Sequence, residues 1–371
     1  MNNDFSDNLT PLLKAEKKRT FFKAQNRIAC LMFLLLVCEI LAGIALVILS
    51  AACPSLTADP RADAIANGLV YVFYMLTPAL VYYALRRKDG SHKVKHEKPE
   101  NPHTVALFFF SLGLIYVGQL VSFFMGTAFS EAGIDLYANS EIAASPDVVL
   151  MIIQIVTIAA LPAILEELLT RHIILTELSR YGRGFAIMIS ALLFSLMHMN
   201  PVQIPFAFIA GLAMAYTTVA TGSVMPSCLL HFVNNSISIV LTFLPSFVDE
   251  RVVYITDLAV TSVILITGSA AGVYLLLIKR KKKADVTDRP EETFCGEPAV
   301  MNIEETAGGS VAEAAVKTEE GPTSEEKAEK INVIEGKIIG NLSPAMSAYI
   351  ISAIVCTILT FFILWLQSGI S

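Results

Sequence analysis

Three short runs in this chain carry side chains able to move a proton or meet an anion. They are Leu165-Glu166-Glu167-Leu168-Leu169-Thr170-Arg171-His172, Phe194-Ser195-Leu196-Met197-His198 and His231-Phe232-Val233-Asn234-Asn235. Each lies inside or at the end of an apolar block. A charge near the centre of a bilayer costs about 2.5–3.5 kcal/mol on insertion scales, so such residues are functional candidates. Helical spacing sorts them. Glu167 and Arg171 are four apart, so they are surface neighbours that can pair as ions. Glu166 points roughly 100° away from Glu167, which leaves it as the carboxylate available for chemistry. Pro162, four residues before Glu166, removes a backbone hydrogen bond and opens space there. Phe194 and His198 share one helix face, as do His231 and Asn235, so each imidazole has a neighbour to orient it or complete a site. The plain alternative for a lone histidine is a satisfied packing residue. Three such runs in neighbouring blocks favour a site.

The elements that must position them are membrane helices. The chain has 371 residues, 54% hydrophobic and 16% charged, with a mean hydropathy of +0.61. Soluble domains average about 25% charged residues. Apolar blocks run at about 28–52, 65–85, 104–128, 148–178, 184–200, 204–221, 223–245, 256–278 and 346–366, and about 20 residues suffice to span. The expected fold is all-α, a polytopic helical membrane protein with eight or nine transmembrane helices. The blocks at 184–200 and 204–221 are short, and Pro201 and Pro205 favour a break between two short spans or the arms of a hairpin.

Basic residues set the orientation. Lys14, Lys17, Lys18, Arg19, Lys23 and Arg27 precede the first block, and Arg86, Arg87, Lys88, Lys93, Lys95 and Lys98 follow the second. Arg180 and Arg183 follow the fourth, and Lys279 to Lys283 form a basic run after the eighth. The alternate connections carry Arg61 and Arg251. This alternation predicts a cell-membrane, multi-pass protein with a cytoplasmic N-terminus. The organisation follows: a basic cytoplasmic segment (1–27), three spans (28–145), a core holding the three motifs (146–250), an eighth span with its basic stop (251–283), an acidic linker (284–344) and a ninth span (345–371). Residues 284–340 contain 14 acids and 5 bases, a composition that reads as a disordered cytoplasmic linker. The six cysteines show no ligand spacing and imply no disulfide framework. Gly268 and Gly272, four apart on the eighth span, read as close helix packing or the face of a homodimer.

Glu-Glu-x-x-x-Arg at 166–171, Phe-x-x-x-His at 194–198 and His-x-x-x-Asn at 231–235, in this order on successive spans, resemble the CPBP family of intramembrane proteases. That family includes the type II CAAX prenyl endopeptidases and bacterial relatives tied to bacteriocin processing or self-immunity. The resemblance covers about residues 148–245. It implies that Glu166 is the general base that activates water and that His198 helps to hold that water. It implies that His231 and Asn235 stabilise the oxyanion, with Glu167, Arg171 and Phe194 supporting the site. Relatives commonly have Phe-Arg-Gly where this chain has Thr170-Arg171-His172, a difference that bears on local packing and on the substrate pocket. The expected partners are a peptide or membrane-protein substrate and the lipid bilayer, without nucleic acid.

A zinc ion is the competing mechanism, with Glu166, His198 and His231 as chemically adequate ligands, although no HExxH helix calls for one. Two rival functions differ in class. One is a catalytically inactive immunity or scaffold protein of the same fold, which the intact set of Glu166, His198, His231 and Asn235 disfavours. The other is a proton-coupled transporter, which internal repeats would accompany, and the sequence has none.

Overall fold

The computed structural model describes residues 3–86, 101–133, 145–287 and 342–368. Most of the acidic linker, residues 288–341 with Cys295, lies outside them. The chain divides into one unit of Met1–Leu275 with Ile339–Ser371 and a second of Leu276–Ile338. The described part of the second is the end of a helix that runs to Thr287 and carries the basic run from Lys279.

The described residues are helical and contain no strand. We number the main helices α1 (Asn3–Ala52), α2 (Pro60–Arg86), α3 (Thr104–Glu131), α4 (Val148–Ser179), α5 (Arg183–Leu196), α6 (Gln203–Thr221), α7 (Met225–Phe243), α8 (Glu250–Thr287) and α9 (Pro344–Ser368). Seven of them are long and apolar enough to cross a membrane; α5 and the stretch Pro344–Thr360 of α9 are shorter apolar helices. At 14 residues, α5 rises about 21 Å against a hydrocarbon core of about 30 Å. Its block ends early because residues 197–202 turn within the protein, where Met197 and Val202 are buried. Non-helical backbone is tolerated at membrane depth when protein covers it. The sequence left 184–221 as two short spans or a hairpin; the structure has two separate helices packed on each other.

Small residues set how closely these helices approach. A Cβ at Gly211 of α6 would lie 3.0 Å from the Ala191 Cα and 3.2 Å from the Phe194 ring on α5. The same holds where α8 crosses α3: a Cβ at Gly268 would lie 2.8 Å from the Gly113 Cα, and one at Gly272 would lie 3.0 Å from the Phe110 ring. The Gly268–Gly272 face is therefore a packing face inside the chain. The main apolar core joins α3, α5, α6, α7 and α8 through Leu112, Ile115, Phe194, Ala210, Leu230 and Ile264.

The basic N-terminal segment is continuous with the first span. Along α1, Phe21, Ala24, Ile28, Met32 and Leu35 form a buried stripe at helical spacing. Phe21 meets the rings of Tyr181 and Phe185 at 5.0 and 5.4 Å. On the same helix the Gln25 carboxamide oxygen accepts from the Ser343 N–H, and Tyr349 of α9 stands edge-on to Phe33 at 5.5 Å.

Helix α4 is irregular in a way that matters for the site. An α-helical stretch, Leu161–Glu167, lies between two π-helical stretches, Ile155–Ala160 and Leu168–Leu175. Such widened turns are uncommon and recur at functional sites. Pro162 accounts for part of this. In an α-helix the Ile158 carbonyl would accept from the N–H of residue 162, and proline has none.

Candidate active site

Helix α2 runs beside α4 and is pinned to it at successive heights. At one end Arg61 makes a two-pronged contact with Asp147, from Nε to Oδ2 at 2.6 Å and from Nη2 to Oδ1 at 2.9 Å. Asp147 also caps α4, accepting from the N–H groups of Val149 and Leu150. The Arg61 guanidinium, chiefly through its hydrogen bonds, holds the Asp147 carboxyl below the usual carboxylate range. Further along, Gly68 lets the helices touch, since a Cβ there would lie 2.5 Å from the Thr157 methyl. At the far end the Tyr82 hydroxyl donates to Glu177 at 3.1 Å, and Arg27 of α1 approaches the same carboxylate at 3.4 Å.

Between these pins lies the polar cluster. Glu166, Glu167, Thr170, Arg171, His172 and His231 are all buried. The Glu167 carboxylate stands between two partners. Its Oε2 is 3.1 Å from Arg171 Nε, and its Oε1 is 3.3 Å from His231 Nδ1. Glu167 and Arg171 are both 0% exposed. The Arg171–Glu167 contact is a close ion pair without hydrogen-bond alignment, and Nη1 and Nη2 of Arg171 have no hydrogen-bond partner among the described residues. The guanidinium lies over the Phe194 ring instead, 4.7 Å from its centre, a cation–π contact of the kind that gains strength when desolvated.

The Glu166 carboxylate is arranged differently at its two oxygens. Its Oε1 accepts from the Tyr71 hydroxyl at 2.7 Å. Its Oε2 is buried without a hydrogen-bond partner and stands 3.8 Å from His231 Nε2. His231 thus has one ring nitrogen toward each glutamate. Because a carboxylate oxygen accepts, Nδ1 carries the proton toward Glu167, and Nε2 is the nitrogen presented to Glu166.

Phe194 organises the histidines. Its ring meets His198 at 5.0 Å and His231 at 5.9 Å, both edge-on. His198 Nδ1 is 3.0 Å from the Phe194 carbonyl, which can only accept, so Nδ1 holds the proton and Nε2 is the acceptor. The next residue, Met199, has φ of 47°. This left-handed conformation is costly for a residue with a side chain.

Asn235 answers the gap left by Pro162. Its Nδ2 donates to the Ile158 carbonyl at 3.1 Å. Its Oδ1 accepts from Asn234 Nδ2, and Asn234 Oδ1 accepts in turn from Gln119 Nε2 of α3 at 2.8 Å. A carboxamide has two N–H donors, and the one directed at Ile158 holds the first π-helical stretch of α4 against α7.

Of the residues singled out in the sequence, Glu166, Glu167, Arg171, Phe194 and His231 form one contact network. His198 joins it through the Phe194 ring, and Asn235 joins through the backbone of α4. Tyr71, Asn234 and Gln119 belong to the same network and were missed. Tyr71 and Gln119 carried a signal: tyrosine in spans favours the interfaces, yet Tyr71 lies mid-span, and Gln119 is a carboxamide in an apolar helix. For zinc, the donor set does not gather: among the described residues no group of three His, Cys, Asp or Glu side chains is placed to hold a metal ion. An apolar groove of about 250 Å³ lies elsewhere, between α1 and α2, lined by Leu41, Ala42, Ala45, Leu69, Val70 and Phe73.

Fold and site together define a polytopic helical membrane protein with a buried Glu-Glu-His-Arg cluster. Residues 148–237, from α4 into α7, match the family described as type II CAAX prenyl endopeptidase Rce1-like. The resemblance to CPBP intramembrane proteases is thus a family match over the segment that carries the three motifs, and it is a match to a peptidase family. No curated protein and no solved structure matches the chain.

Proposed function

We propose that the protein is an intramembrane endopeptidase that hydrolyses a peptide bond with water activated by Glu166. The observation that carries this reading is the Glu166 carboxylate itself, a buried base whose Oε2 has no hydrogen-bond partner and faces His231. In the reaction, a water proton passes to Glu166 while the water oxygen bonds to the scissile carbonyl carbon. His198, with Nε2 as acceptor, helps to hold that water. Carrying a proton on Nε2 as well as on Nδ1, His231, with the remaining N–H of Asn235, donates to the developing oxyanion. Collapse then breaks the C–N bond, and Glu166 returns its proton to the leaving amine. Glu167 and Arg171 fix the His231 ring and supply charge balance. The substrate is a peptide or membrane protein that reaches the site from the bilayer or the cytosolic face, and the basic connections favour a cytoplasmic N-terminus.

The direct test of hydrolysis uses membranes containing the protein, incubated in ¹⁸O-labelled water. New peptide C-termini carrying ¹⁸O, absent from membranes with Glu166→Gln, are expected. Equal labelling in both membranes would refute the reading.

A further inference from the structure

The hydrogen bond from Tyr71 to Glu166 reaches the base from α2, outside the matched segment. We propose that Tyr71 is a positioning residue for the base: its phenol holds Oε1 so that Oε2 is the oxygen that takes the proton from water. This rests on Glu166 acting as the base.

Three observations lead to it. First, the 2.7 Å O–H···O contact is a well-formed hydrogen bond of the usual length, and its acceptor is a carboxylate; such charge-assisted bonds are about twice as strong as neutral pairs. Second, the two oxygens of one carboxylate are unlike: Oε1 is held, while Oε2 is buried, without a hydrogen-bond partner and turned toward His231 Nε2. A carboxylate with both oxygens unheld would rotate about its terminal torsion, which is broad and roughly two-fold, and would present either oxygen to water. Third, the phenol is itself held. Helix α2 is fixed to α4 on both sides of Tyr71, by Arg61–Asp147 and the Gly68–Thr157 approach before it and by Tyr82–Glu177 after it. Tyr74 packs edge-on against the Tyr71 ring at 5.2 Å. Oriented this way, the base needs little rearrangement when water arrives, and misplacement of a reacting group by about 1 Å can cost roughly a hundredfold in rate.

The test uses full-length protein in lipid nanodiscs with ¹³C-carboxyl glutamate. The infrared carboxylate band that disappears in Glu166→Gln belongs to Glu166. Tyr71→Phe keeps the ring and its contact with Tyr74 and removes only the hydroxyl. It should shift that band as the hydrogen bond is lost. In cells at equal protein abundance, peptides produced by the wild type but not by Glu166→Gln should fall about tenfold or more in Tyr71→Phe. An unmoved band overturns the proposal, and so does a shifted band with wild-type peptide levels. If Glu166→Gln loses no peptides, the assignment of the base fails and the positioning role falls with it; the band then reports the contact alone.

Discussion

Replacing Glu167 by Gln should cost far more stability than activity chemistry alone explains, and the structure says why. Glu167 and Arg171 are both 0% exposed and stand 3.1 Å apart. The neutral amide of Gln removes the counter-charge. Arg171 then keeps the Phe194 ring at 4.7 Å and the more distant charge of Glu166, and its Nη1 and Nη2 have no hydrogen-bond partner among the described residues. A buried ion left alone in this way typically costs about 3–5 kcal/mol, roughly 10 °C in melting temperature for a protein of this order of size. Arg171→Met should cost less, because Glu167 retains the His231 Nδ1 contact at 3.3 Å and can share its proton. The double replacement, Glu167→Gln with Arg171→Met, removes both charges and should recover a substantial part of the loss, at least about 1 kcal/mol relative to Glu167→Gln. Thermal unfolding of the four purified proteins in one detergent reads all three numbers. A double variant no more stable than Glu167→Gln would refute the idea that the pair neutralises a buried charge.

Asn235→Ala should cost about 1–3 kcal/mol by stranding the Ile158 carbonyl, and adding Pro162→Ala, which restores a backbone N–H, should recover part of it in the same melting assay. Asp147 is held below the usual carboxylate range chiefly by its hydrogen bonds to Arg61, so its contribution is present above the unfolded carboxylate pKa of about 4 and is lost as pH falls through the lower folded value. The melting difference between the wild type and Asp147→Asn should therefore be steady above about pH 5 and shrink below about pH 4. Cysteine labelling in intact cells should place residues 86–103 and 284–344 in the cytoplasm and 129–147 outside; finding 129–147 on the cytoplasmic side would overturn the orientation.

The span pattern was legible because a bilayer imposes length and apolarity on every helix crossing it, and the three motifs stood out because charge is rare there. The short α5 was harder to read. Hydropathy marks 184–200 as one block, and nothing in it signals that the helix stops at Leu196 and turns through Met199. The π-helical stretches of α4 were also hidden, because the pattern of apolar residues does not report an extra residue in a turn. Pro162 was the local clue, and it pointed to a freed carbonyl without naming Asn235 as its partner. Tyr71 lay out of reach of motif spacing, since it is 95 residues before Glu166 and meets it only through the packing of α2 on α4. Helical spacing paired Glu167 with Arg171, but it could not show that His231 stands between the two glutamates.

The central claim is that Glu166 supplies the base, and an isosteric replacement tests it. Glu166→Gln keeps the size of the side chain and its acceptor for Tyr71 while removing the charge. Cells producing equal amounts of folded wild-type and Glu166→Gln protein would be compared by cataloguing membrane-derived peptides by mass spectrometry. A set of peptides present with the wild type and absent with Glu166→Gln, at unchanged melting temperature, is the predicted result. Identical catalogues from the two proteins would contradict the account.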